Sequence, residues 1–268
     1  MKNHPPQPPS QSSPDVMTTN EPTTADQDEA GTAEGSNSRA IRFIAASKLP
    51  VLPLEWLVDG YLEQNTLAVL YGGHDKDKTF LALDMSCCVA TNTPYHGQAV
   101  REGTVFYLTG QNLLDVARRV RDWSTHNDIS LQDCSLFISS YPADSTPTIA
   151  QLVQDISRMG GATGRTPALV VIDNLSRIFS RNGHGAAAIS RFVRQIEELR
   201  TRWEATVLLL SDQGDAQGSL TLNSAVDSEY ELSRSACDRF ITLNARKMRN
   251  APTPAPKVFD LAEFLLEA

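Results

Sequence analysis

The chain has 268 residues, 41% of them hydrophobic, and a formal net charge of −8. That is enough apolar material for one sizeable core, and the acidic balance excludes a protein that grips nucleic acid over its whole surface. No run approaches the roughly 18 apolar residues of a membrane span, and no apolar segment follows the first charges as a secretory signal requires.

In chain order, residues 1–40 are rich in Pro, Ser and Thr and carry six acids against two bases, Lys2 and Arg39. Such a segment cannot bury enough surface to offset its ordering entropy and reads as a disordered acidic tail. The ordered domain is expected over 41–268. PVLPLEWLVDGYLEQ reads as a packed lead-in anchored by Leu52, Leu54, Trp56 and Leu57, and NTLAVLYGG as a buried strand running into a loop. TFLALDMSCCVAT has helical spacing, GTVFYLTG reads as a second strand, and LLDVARRVRDWSTH as an amphipathic helix with Asp115–Arg119 and Arg118–Asp122 pairs on its solvent side. CSLFIS is a third strand, and TIAQLVQDISRM a helix opened by Thr148 and stopped by GGATG. ALVVIDN and TVLLLSD are further buried strands on either side of the long helix AAAISRFVRQIEELRTRWEA. From about residue 218, GSLTLNSAVDSEYELSR, RFITLNARKM and KVFDLAEFLL read as an antiparallel meander at the sheet edge. Strands alternating with helices predict an α/β fold: a mostly parallel, twisted sheet with helices on both faces and antiparallel C-terminal edge strands. Cys87, Cys88, Cys134 and Cys237 form no CxxC pair and read as reduced thiols of a cytoplasmic protein. The histidines show no metal-ligand spacing.

One stretch carries chemistry. YGGHDKDKTFLALDM has the outline of a phosphate-binding loop between a strand and a helix: Gly72 and Gly73, then Lys78 and Thr79. The glycine expected before the lysine is Asp77, and Asp75 also stands in the loop. Such loops work by turning consecutive N–H groups into an anion nest. Aspartate tolerates left-handed backbone, so the shape can survive, but a carboxylate about 5 Å from a phosphate charge costs roughly 3 kcal/mol at an effective dielectric near 20. Alternatively, Asp75 or Asp77 pairs with Lys78. VVIDN, about a hundred residues on, ends a strand in Asp173, which suits a magnesium-side carboxylate.

From about Leu52 to Leu265 the sequence resembles the RepA-type hexameric replicative helicases of plasmids and their phage relatives, through LEWLVDGYLEQNTLAVLYGG, FLALDMSCCVATNTPYHGQAVREGTVFYLTG, ARRVRDW, LVVIDNLSRIF and GSLTLNSAVDSEYEL. The resemblance implies a RecA-like P-loop NTPase core, ATP and Mg2+ as cofactors, a ring-shaped homo-oligomer or a replication-protein partner, and contact with DNA. It places Gly72, Gly73, Asp75, Asp77, Lys78 and Thr79 at the nucleotide, Thr79 and Asp173 at the metal, and Gln111 with Asp173 at the chemistry. Where the family carries a water-activating glutamate this chain has Gln111, which can orient water but cannot take its proton. Asp212 and Asp215 stand where the family senses the γ-phosphate, and Gln217 and Asn223 where it has arginines. Lys247 and Arg249 remain, in a KMRN segment that resembles a basic hairpin near the subunit boundary. Lost glycines, base, sensors and arginines together imply a degenerate ATPase serving as a binding or oligomeric accessory, with nucleotide binding weak or lost. The alternative is an active Mg-ATP-dependent hexameric helicase.

Overall fold

The computed structural model describes residues 43–49, 53–73, 75–141, 148–175, 186–212, 220–234 and 239–260. The chain divides into two compact units, residues 1–51 and 52–268. In the first, the described segment holds one 3-10 turn, Ala46–Lys48.

The second unit is an α/β body. Its strands are β1 (Trp56–Val58), β2 (Leu62–Glu63), β3 (Leu67–Gly72), β4 (Thr104–Thr109), β5 (Leu136–Ser140), β6 (Pro167–Asp173), β7 (Thr206–Asp212), β8 (Ser228–Arg234), β9 (Phe240–Met248) and β10 (Lys257–Asp260). Its helices are α1 (Asp75–Thr91), α2 (Leu113–Asn127), α3 (Ile149–Thr163), α4 (Ala186–Trp203) and α5 (Leu220–Ala225). β1 and β2 pair alone. The other strands form one sheet in the order β10-β9-β8-β3-β7-β6-β4-β5. From β8 to β5 every pairing is parallel, and β9 and β10 add antiparallel.

The central strands read as unbroken apolar runs because both faces are covered. Along β3, Ala68 and Leu70 face a core shared with α1 and α2. Leu67, Val69 and Tyr71 face a second core shared with α3, α4 and α5. β4, β6 and β7 alternate in the same way.

Three expectations change. β8 was expected in an antiparallel meander, but it runs parallel beside β3, and antiparallel pairing begins only at β9. The LTLNSA stretch is helical rather than extended. α3 is capped by Thr148 and stopped within GGATG, but it runs past ISRM through Gly160 and Gly161 to a left-handed Gly164. Among the described residues no helix is long and apolar enough to cross a membrane.

Parallel pairing brings the C-terminal ends of β3, β4, β6 and β7 to one edge, where ligands bind in such sheets. Register fixes the neighbours: Gly72 lies opposite Asp212 on one side and Leu232 on the other, and Thr109 lies opposite Asp173. A Cβ on Gly72 would stand 2.5 Å from the Leu232 carbonyl oxygen. This glycine is required by strand packing, whatever binds beyond it.

Two measurements follow from these cores. Gly72→Ala should lose roughly 1–3 kcal/mol in urea unfolding with no nucleotide present; unchanged stability would remove the packing role. Burial, then the Asp84 carboxylate, pushes the Cys87 and Cys88 thiols well above their ordinary value of 9.0, and burial raises Tyr95 and Tyr107 above 10.0. The folded chain therefore keeps protons that the unfolded chain releases. Stability is complete below about pH 9 and declines as pH rises, by up to about 1.4 kcal/mol per group per unit. Urea midpoints should hold level from pH 7 to 8.5 and fall through pH 9–11.

Candidate functional site

The site is assembled from the strand ends. β3 ends at Gly72 and α1 begins at Asp75, three residues before the lysine, so only Gly73 and His74 connect them. The open loop expected from the sequence is largely wound into the helix. Asp77 becomes a first-turn residue, where an acid is favourable to the helix dipole.

Lys78 is 1% exposed. A buried ammonium must find acceptors. Its Nζ donates to the Gly72 carbonyl at 2.7 Å and to Asp212 Oδ1 at 3.2 Å. The β3–β7 register creates this arrangement, since Asp212 lies directly across from Gly72. Asn174 Nδ2 donates to both Asp212 oxygens, at 3.4 and 3.3 Å. Unit charges about 4 Å apart attract by about 4 kcal/mol at an effective dielectric near 20. The figure is smaller here because the Asp212 side chain is 42% exposed. A phosphate reaching Lys78 would have to displace Asp212 or share the ammonium with it.

Asp77 corrects the sequence reading. Among the described side chains its charge partner is Arg234 rather than Lys78. It is 4% exposed and takes Arg234 Nη1, from β8, at 3.2 and 3.4 Å. Among the described side chains, the acid that reaches Lys78 is Asp212. The side chain of Asp75 lies outside the described residues, as do His74, Asp215, Gln217 and the side chain of Asn223. Cys237 also lies outside them, and Cys87, Cys88 and Cys134 are free thiols.

The metal-side half is more regular. Thr79, fully buried, donates from Oγ1 to Asp173 Oδ2 at 2.8 Å, and Tyr107 OH donates to the same oxygen at 2.9 Å. A hydroxyl and a carboxylate are hard oxygen donors of the kind magnesium takes, so these two residues fit that ion. The phosphate half does not fit its group as well: the lysine is engaged and the loop is short.

Gln111 sits beside this pair. Its backbone N–H donates to Thr109 Oγ1 at 3.0 Å, its Nε2 to Thr79 Oγ1 at 2.9 Å, and its Oε1 accepts from Arg119 Nη1 at 3.2 Å. Arg119 also stacks over Phe80, 4.5 Å from the ring centroid. Sequence reading placed Arg119 on a solvated face paired with Asp115. Asp115 instead pairs with Arg118 at 3.4 Å, one step nearer along the helix.

Lys247 and Arg249 are also tied down. Lys247 Nζ donates to the Val226 carbonyl at 2.7 Å, and Arg249 bonds Asp227 at 2.5 Å and the Ser224 carbonyl at 2.9 Å. They brace the entry to β8, where Asp227 Oδ2 also accepts the Leu67 N–H at 3.0 Å. Sequence reasoning missed Arg119, Arg234 and Tyr107. The ELSR ending of β8 and the YLT of β4 offered only strand periodicity.

A family model described as "AAA domain" matches residues 35–217, well over half of the chain. The match spans Gly72, Asp77, Lys78, Thr79, Gln111, Arg119, Asp173 and Asp212, and ends before Arg234, Lys247 and Arg249. No curated protein matches.

Arg234→Met leaves the Asp77 carboxylate buried without its cation and should cost roughly 2 kcal/mol in urea unfolding, with most of the loss recovered in Asp77→Asn/Arg234→Met. Equal losses in the single and double variants would mean that the pair does not exist in solution.

Proposed function

The chain belongs to the AAA-domain family of P-loop ATPases, and from that premise we propose that it is a degenerate ATPase of the RepA-like, RecA-fold kind. In this reading it acts in the cytoplasm as an oligomeric or binding accessory in plasmid or phage DNA replication, with copies of itself or a replication protein as its partner.

One observation carries the reading: Lys78, the residue that would meet the β- and γ-phosphates, is buried with its ammonium on Gly72 and Asp212. Phosphoryl transfer depends on positioning and on charge complementary to the phosphates. Among the described side chains of the site, Asp77, Asp173 and Asp212 stand against Lys78, Arg119 and Arg234, which leaves no surplus of positive charge. Gln111 cannot serve as a general base. The family's remaining basic candidates, Lys247 and Arg249, hold their own backbone.

A second reading, an active Mg-ATP-dependent hexameric helicase, draws on the Thr79–Asp173 pair at 2.8 Å, which keeps the metal-side donors together.

Calorimetry with Mg-ATP separates the two. The unmodified chain should bind more weakly than about 1 mM, and Asp75→Gly/Asp77→Gly/Asp212→Asn at least tenfold more tightly, as freeing one cation for a phosphate implies. Micromolar binding by the unmodified chain, with turnover of about 1 per second or faster, would establish the helicase reading instead. Sedimentation of the unmodified chain tests the oligomer: a monomer at all concentrations removes the ring.

A further inference from the structure

The metal-side half of the site has a feature that neither the family nor the proposed function assigns. Thr79 Oγ1 donates its hydrogen bond to Asp173, which leaves the oxygen's lone pairs as acceptors. Gln111 Nε2 takes one of them at 2.9 Å. An amide N–H is a donor and a divalent cation is an acceptor of electron pairs, so the two compete for the same oxygen.

We propose that Gln111 is a latch across the magnesium position, held shut by Arg119. The side chain is fixed at both ends, by Thr79 on Nε2 and by Arg119 on Oε1, and its backbone is pinned to the buried Thr109 hydroxyl. Arg119 is fixed in turn on the face of Phe80, one residue along α1 from Thr79. The bond directions run one way along the chain: Arg119 to Gln111, Gln111 to Thr79, Thr79 to Asp173.

The latch has an open state available to it. Arg119 lines a cavity of about 240 Å³ between α1 and α2, and Asp122 on the same helix lines it too. A guanidinium that turns to Asp122, three residues on, releases Oε1 and lets the Gln111 amide swing away from Thr79. Gln111 is thus a positioning residue that controls entry of a divalent cation. The inference rests on Thr79 and Asp173 being the metal-side pair, and not on the state of Lys78.

Mn2+ alone, titrated against the full chain and followed by the loss of free-ion EPR signal, tests it without nucleotide or turnover. Gln111→Ala and Arg119→Met should each bind Mn2+ about fivefold or more tightly than the unmodified chain, the effect of removing one ordinary hydrogen bond. Thr79→Ala added to either should abolish the gain. In the 15N spectrum the Gln111 side-chain amide should move in Arg119→Met, with the thermal midpoint of each variant reporting that it is folded. Equal Mn2+ affinity in folded Gln111→Ala and unmodified chain overturns the latch, as does a gain that survives Thr79→Ala. Tight Mg-ATP binding by the unmodified chain would sink the degenerate-ATPase reading alone.

Discussion

A lysine ammonium at 1% exposure has to be neutralised by whatever lies within reach. For Lys78 the reach is set by the sheet. β3 delivers the Gly72 carbonyl, and β7, in parallel register, delivers Asp212 directly opposite. Once Asp212 has taken the lysine, Asp77 on the adjoining turn needs a cation of its own, and β8 on the other flank of β3 supplies Arg234. The strand order β8-β3-β7 therefore distributes two acids and two bases as two separate pairs around the head of α1. Among the described side chains, an anion arriving there meets two ion pairs already formed.

Much of this was legible in the sequence, for a physical reason. Strands covered on both faces are uniform apolar runs, so β3, β4, β6 and β7 announced themselves within a residue or two of their ends. Their polar terminators, Gly72, Thr109, Asp173 and Asp212, marked the edge where a site belongs. Lys78, Thr79, Gln111 and Asp173 do converge there. The pairing of charges was not legible. Asp77 and Arg234 are 157 positions apart, and no local pattern links them. Arg119 had an acid four residues before it, at helical spacing, so the solvent-side pair was the natural reading. The deciding competitor, Gln111, lies before the helix begins. LTLNSA misled because its mix of β-branched, polar and apolar residues satisfies a short strand and a short helix equally.

The two halves of the site differ in how their polar groups are engaged. On the phosphate side the helix begins three residues before the lysine, and the lysine is bonded to the end of its own preceding strand. On the metal side the donors remain in place and one side chain lies across them. The same fold face thus carries a closed half and a latched half, and the surrounding cores are intact in both.

The most direct measurement is the nitrogen-15 signal of the Lys78 ammonium in the folded chain, recorded with and without millimolar Mg-ATP. Held by Gly72 and Asp212, the group exchanges slowly, gives a resolved signal, shifts on Asp212→Asn, and stays where it is when nucleotide is added. A Lys78 signal that moves with Mg-ATP at micromolar concentration and couples to phosphorus would show a lysine committed to phosphate, and would contradict the pairing on which the rest depends.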